Sequence, residues 1–218
     1  MTVAYQGRPG AYSDLACRTA LPGRPTLPCE TFEATIDAVH TGAAELAMLP
    51  CENSLAGRVP DIHSLLPESG LHIVGEHFQL VEHCLLGVPG ATIGQVRRAH
   101  SHAVALGQVR GILRELGLQA VVEADTAGAA EMIAALADPA DAAIASTLAA
   151  EIYGLEVLRA NVEDASHNTT RFYIASRALA PPPPETPSTR TSSEKKANSS
   201  NARRSAGCSG WPSTSHRN

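Results

Sequence analysis

No lysine precedes Lys195, aromatic residues are only 4% of the chain, and there is a single tryptophan. A lysine-free body excludes Schiff-base chemistry and a pyridoxal-phosphate anchor, and it excludes a phosphate loop of the Walker type. Scarce aromatics leave the core to Ala, Val, Leu and Ile. The five cysteines, Cys17, Cys29, Cys51, Cys84 and Cys208, contain no C-x-x-C and no regular spacing, so they read as reduced thiols of a cytosolic protein. His63, His72, His77, His83, His100 and His102 show no ligand spacing, which argues against a metal site. "GRPGAYSDLA" is not G-x-G-x-x-G, so the dinucleotide fingerprint is missing. No window approaches about 18 uninterrupted apolar residues, which excludes a membrane span. "MTVAYQG" enters a strand with no basic region and apolar stretch before it, so no signal peptide is expected and a cytoplasmic location is. There is no positive surplus either. The net charge is −5, which argues against a nucleic-acid-binding body.

What is present is 218 residues that are 44% hydrophobic, enough for one large domain or two smaller lobes. The body to residue 178 is acidic, and residues 179–218 are basic and rich in Pro and Ser. That final stretch cannot bury enough surface to offset its ordering entropy, so a disordered tail is expected. The body alternates strands with helices. "TVAYQ" reads as a strand ending in a Gly-Pro-Gly turn, and Ser13 as the cap of "DLACRTAL". Thr31 and Gly42 bracket a helix with the apolar stripe Phe32, Ile36 and Val39. "ELAMLP" is a strand, "VPDIHSLLPE" a short helix, and residues 71–88 have long strand character. Ser101 reads as the cap of one helix over "HAVALGQVRGILRELG". "QAVVEAD", "AAIAS" and "LEVLRANV" read as strands, separated by helices capped at Thr126 and over "TLAAEIYG". Such alternation predicts an α/β fold with mostly parallel sheets and right-handed crossovers.

Four loops are unusually polar: "GRPGAYS" (7–13), "PCENSLAGRV" (50–59), "AHSH" (99–102) and "SHNTTRF" (166–172). Ligands of open α/β sheets bind beyond the carboxyl ends of the strands, where backbone N–H groups and capping hydroxyls suit an anion. Gly7 and Gly10 allow close backbone approach. Each loop also has a plain reading. Ser13 and Ser101 suit simple N-caps, Asn53 and Ser54 suit a turn, Arg171 suits a surface ion pair, and Cys51 suits a buried structural thiol. Taken together, many neutral donors with one arginine beside hydroxyls describe a site for a small polycarboxylate.

"GRPGAYS", "PCENSLAGRV", Ser101-His102, "DTAGAA" (125–130) and "NTTRF" (168–172), in this order and spacing, resemble the catalytic domain of prephenate dehydratase over roughly residues 2–177. The resemblance implies a two-lobed α/β fold like a periplasmic binding protein, with the active site in the inter-lobe cleft. Lobe one would hold about 1–76 plus 168–177, and lobe two about 77–167. It implies loss of water and carbon dioxide from prephenate to give phenylpyruvate, with no cofactor and with prephenate as the small-molecule partner. Homodimerisation is left open. On the matching positions, Thr170 would donate to the leaving hydroxyl and Arg171 would pair a carboxylate. Glu52 or His102 would be a proton source, unless they are a turn residue and a helix-start residue. Asn53, Ser54, Ser13, Ser101, Asn168 and Gln108 would grip the substrate, and Phe172 would pack under the loop. Two departures stand out. "SHAVALGQV" replaces the usual Ser-His-Pro-Gln start, although Gln108 is kept. Residues 179–218 also lack the βαββαβ pattern of the ACT module that binds phenylalanine in this family, so feedback inhibition through such a site is not expected. An arogenate dehydratase and a non-catalytic anion-binding module of the same fold are the alternatives.

Overall fold

A computed structural model describes residues 1–179, and the expected disordered tail lies outside them from residue 180 onward. The chain begins with β1 (Val3–Gln6), α1 (Tyr12–Ala20), β2 (Thr26–Cys29), α2 (Phe32–Thr41) and β3 (Leu46–Asn53). Then come β4 (Gly57–Arg58), α3 (Pro60–Glu68) and β5 (His72–Leu80). These strands form the first sheet, in the order β2-β1-β3-β11-β5 with β4 on β3, where β11 (Thr169–Ser176) is the last strand of the chain. Between β5 and β11 the chain builds β6 (Cys84–Gly87), β7 (Arg98–His102), α4 (Ala103–Gly107), α5 (Arg110–Glu115) and β8 (Gln119–Glu123). It continues with α6 (Thr126–Leu136), β9 (Asp141–Ala145), α7 (Thr147–Tyr153) and β10 (Glu156–Arg159). This second sheet has the order β10-β6-β9-β7-β8.

Local chemistry accounts for several boundaries. The Thr31 hydroxyl accepts from the Ala34 N–H at 3.1 Å, and Gly42 closes α2 with φ of 83°, a conformation that favours glycine. Pro60 opens α3 at a position where its missing N–H costs nothing. β2 contains Pro28 but lies at the sheet edge, where no second ladder needs its N–H. The core is aliphatic, as the composition requires. α2 and α3 cover one face of the first sheet, packing Ile36, Val39 and Ile62 in one cluster with Leu49 of β3. α1 covers the other around Tyr5, Met48 and the fully buried Phe172. The second sheet packs Ile133, Ala143 and Ala149 on one side and Leu85, Val109 and Ile144 on the other. Each large aliphatic side chain so buried contributes about 1.5–3 kcal/mol.

The architecture is α/β, but its sheets are mixed rather than mostly parallel. β11 enters between β3 and β5 and runs antiparallel to both. β6 is antiparallel to β9 and β10, while β1, β2, β3 and β7, β8, β9 pair in parallel. Residues 71–88 form two strands in different sheets, because the chain crosses between sheets at Val81–His83. β5 stays in the first sheet to Leu80, so this crossing begins later than residue 77. The return segment pairs with the outgoing one: the Val81 N–H donates to the Asn168 carbonyl at 2.8 Å, and the Val162 N–H to the His83 carbonyl at 2.9 Å. The single helix expected after Ser101 is two. Val109 is non-helical (φ −127°, ψ 28°), and the Asp164 carboxylate caps α5 from outside, accepting the Arg110 and Gly111 N–H groups at 2.9 and 2.8 Å.

Three expected caps are displaced, that of α1 by two residues and the others by one. Ser13 lies inside the first turn of α1, which has no side-chain cap. Ser101 is the fourth residue of β7, and His102 caps α4 instead. Asp125, not Thr126, caps α6. Among the described residues no helix is long and apolar enough to cross a membrane.

Candidate active site

β3 and β11 place Asn53 directly opposite Thr170, and Glu52 opposite Arg171. Side chains of a strand alternate between faces, so neighbours in sequence part company here. The Asn53 Nδ2 donates to the Thr170 Oγ1 at 2.9 Å and to the Asn168 Oδ1 at 2.8 Å. Its Oδ1 accepts the Leu55 and Ala56 N–H groups at 3.0 and 2.8 Å. Asn168 is fully buried, and its Nδ2 donates to the Gln108 Oε1 at 3.0 Å. That oxygen also lies 2.9 Å from the His83 Nε2. The His83 Nδ1 is 2.7 Å from the Tyr12 hydroxyl, which is 3.0 Å from the Glu82 carbonyl. One polar chain therefore runs from α1, through the crossing at His83 and the end of α4, to the start of β11. It joins residues of both sheets.

Burial sets the protonation states along this chain. Desolvation pushes the Tyr12 phenol well above its ordinary range and keeps it protonated. Desolvation also pushes His83 below the usual histidine value, against smaller opposing effects of Gln108 and Glu163. The cluster is thus neutral: amides, hydroxyls and an uncharged imidazole.

The residues expected in the site are only partly gathered there. Thr170, Asn53, Asn168 and Gln108 are brought together. Ser54 stands beside them as a backbone staple, donating to the His167 carbonyl at 2.9 Å and accepting the Thr169 N–H at 3.0 Å. Arg171 is not with them. It lies on the opposite face of the strand, where its Nε and Nη2 donate to the Glu76 Oε2 at 2.9 and 2.6 Å. Its guanidinium sits over the Phe78 and Tyr173 rings, at 5.7 and 5.2 Å from the centroids. Ser101 is fully buried and donates to the Ile144 carbonyl at 2.6 Å, so its hydroxyl is already used within the fold. Ser13 is half-buried in α1, and Glu52 and His102 are exposed. The His102 Nδ1 accepts the Val104 N–H at 3.3 Å. Phe172 packs beneath the strand, buried among Val3, Tyr5 and Met48. Burial raises the Cys51 thiol above its ordinary range, and it donates to the Arg171 carbonyl at 3.3 Å, in keeping with a structural thiol.

The "GRPG" loop meets the second sheet. The Ser146 hydroxyl donates to the Gly10 carbonyl at 2.7 Å, and the Tyr153 hydroxyl to the Pro9 carbonyl at 2.9 Å. Gly10 has φ of +87°, and a Cβ there would stand 2.8 Å from the Ala149 Cα. Its close approach is to α7 of the other sheet. A cleft of about 550 Å3 opens next to this loop, lined by Gln6, Gly7, Arg8, Glu30 and Asp125 among others. Its arginine is already held by Asp125 and Glu131, and its other charges are carboxylates. The neutral network is the better candidate for gripping a dianion.

Tyr12 and His83 are the members that sequence reasoning missed, and beside them the Glu163 carboxylate accepts the backbone N–H of His83 at 2.8 Å. Tyr12 sits within the quoted "GRPGAYS", and His83 was weighed only as a metal ligand. The signal that would have found them is contact through space between residues about 70 positions apart.

Fold and network define a class: a two-sheet α/β protein whose neutral hydrogen-bonding cluster sits where the chain passes from one sheet to the other. The chain belongs to the prephenate dehydratase family, whose model matches residues 3–179. It is 71% identical over 183 residues to a bifunctional N-acyl-homoserine lactone acylase/prephenate dehydratase of Komagataeibacter europaeus, covering 83% of this chain and 65% of that protein. It is 46% identical over 179 residues to the chloroplastic arogenate dehydratase 3 of Arabidopsis thaliana, covering 81% of this chain and 42% of that protein. The prephenate dehydratase of Arthrobacter aurescens, solved in complex with L-Phe, superposes with a TM-score of 0.77 at 28% identity, covering 84% of this chain and 63% of the other. The chain thus spans less than two thirds of the length of these relatives.

Proposed function

We propose that the chain converts prephenate to phenylpyruvate, and that the Thr170 hydroxyl stabilises the departing hydroxyl group. One observation carries this reading: the Asn53 Nδ2 to Thr170 Oγ1 bond of 2.9 Å. Asn53 is locked by two backbone amides, so it presents an N–H to Thr170. The threonine oxygen is the acceptor, and its own O–H is left to donate outward. Acceptance polarises that O–H and strengthens its donation.

The reaction needs little more. The ring carboxylate leaves as carbon dioxide as its C–C bond breaks. The electron pair enters the ring, which becomes aromatic, and the C–O bond breaks. The product gains strongly from aromaticity, so positioning and stabilisation of charge on the leaving oxygen are the protein's two tasks. A threonine hydroxyl is a weak acid. It lends a hydrogen bond, and the proton that completes water comes from solvent, His102 or Glu52. Gln108, half-buried with its Nε2 unpartnered among the described residues, offers a second neutral donor for a substrate carboxylate.

Arogenate is the second substrate to weigh, because relatives 43–46% identical include arogenate dehydratases and proteins named for both activities. It differs by an amino group in place of the keto group, and a misplaced charge in a fitted pocket costs strong discrimination. The acylase activity in the name of the Komagataeibacter protein is stated of that protein. The test is turnover by the purified chain on prephenate and on arogenate, followed by absorbance of the phenylpyruvate and amino-acid analysis of the phenylalanine formed. The proposal expects the larger kcat/KM on prephenate; turnover of neither would remove the catalytic reading.

A further inference from the structure

The polar chain that ends at Thr170 has a fixed direction, and the direction leads back to a proton on His83. It starts at the backbone. The Leu55 and Ala56 N–H groups donate to the Asn53 Oδ1, so the Asn53 Nδ2 must face Thr170 and Asn168. Asn168 then offers its oxygen to Asn53 and its Nδ2 to the Gln108 Oε1 at 3.0 Å. The same Gln108 oxygen lies 2.9 Å from the His83 Nε2, and an oxygen there calls for an N–H. With the proton on Nε2, the Nδ1 accepts from the Tyr12 hydroxyl at 2.7 Å, the shorter of that hydroxyl's two contacts, the Glu82 carbonyl standing 3.0 Å away. Moving the proton to Nδ1 would set a nitrogen lone pair against the Gln108 oxygen. Gln108 would rotate its amide by half a turn, press its Nε2 toward the Asn168 Nδ2, and withdraw the amino group that is now free.

We propose that His83, 1% exposed, is a positioning residue for the dehydration. The proton on its Nε2 holds Gln108 with the Nε2 amino group available to substrate and, through Asn168, completes the network behind Asn53 and Thr170. The inference rests on the reading of Gln108 and Thr170 given above. What matters at this position is the place of the proton rather than the bulk of the ring.

The experiment compares His83→Gln, whose amide reaches the place of Nε2, with His83→Asn, whose amide reaches only that of Nδ1. Both are made in the full chain and assayed for kcat and KM on prephenate, with thermal melting as the check on folding. His83→Asn is expected to lose about tenfold or more in kcat with KM changed less than about threefold, and His83→Gln to recover most of that loss. Equal kcat in the two variants, or a rise in KM alone, would overturn the proposal. A ¹⁵N-histidine NMR spectrum of the unsubstituted chain reads the proton without turnover and decides the matter if a variant does not fold. An Nε2–H resonance is expected for His83, and an Nδ1–H resonance overturns the proposal. Thr170→Ala in the same assay separates the two readings. Normal turnover there removes the role of Thr170, while His83 is still judged by its own variants and spectrum.

Discussion

Asn53 has no hydrogen-bonding group to spare: its oxygen takes two backbone amides, and its nitrogen serves Asn168 and Thr170. On the proposed reading it orients Thr170 rather than binding substrate. Asn53→Asp, nearly equal in shape, replaces that nitrogen with an oxygen that cannot donate and sets negative charge beside Thr170. A fall in kcat of about 100-fold or more is expected, measured by initial rates on prephenate; a variant within about threefold of the unsubstituted chain would show that the amide orients nothing. "ENS" and "NTTRF" were legible as site segments because polar residues were concentrated there. Arg171 was misplaced because Thr169–Phe172 was read as a loop. As part of β11 it must alternate, and Arg171 turns to Glu76 on the far face.

At the scale of elements, the strands and helices with strong period or good end signals were legible, such as α2 between Thr31 and Gly42. β2 escaped because Pro28 and the Pro- and Gly-rich stretch before it carry no strand signal, although an edge strand tolerates proline. The break between α4 and α5 escaped because its cause, the Asp164 carboxylate, lies some fifty residues further along the chain. Removing that cap by Asp164→Ala is expected to lower stability by about 1–2 kcal/mol. Urea denaturation would show this as a lower midpoint with an unchanged slope. At Gly10 the backbone conformation and the 2.8 Å approach to Ala149 act together. Gly10→Ala is expected to cost about 1–3 kcal/mol, read as a lower Tm. A variant as stable as the parent would show that the loop does not bear on α7.

Over the whole molecule, two sheets and four apolar clusters follow from an aliphatic composition with alternating elements. The mixed pairing was not legible, because which strand returns between which others is decided by contacts between segments far apart in sequence. The second sheet holds a buried carboxylate with cationic partners. Asp141, 1% exposed, accepts from the Arg98 Nε and Nη2 and lies 3.0 Å from the His100 Nε2. The Arg98 guanidinium, and then His100, hold its carboxyl below the usual range. A depressed folded-state value stabilises the fold above the unfolded-state value and ceases to do so as pH falls through the folded one. Asp141→Asn is therefore expected to cost about 1–3 kcal/mol at neutral pH and to weaken the fall of stability on acidification. Urea midpoints of parent and variant, measured from pH 7 to pH 3, should converge at low pH. Curves that stay parallel would remove Asp141 from the acid response.

The central claim is that a threonine held by Asn53 at the sheet crossing supplies the hydrogen bond that releases hydroxide from prephenate. Steady-state kinetics of Thr170→Ala and Thr170→Ser in the purified chain test it most directly. The account predicts a kcat loss of about 100-fold or more for alanine with KM little changed, and for serine a rate within about tenfold of the parent. An alanine variant that forms phenylpyruvate at the parental rate would contradict it.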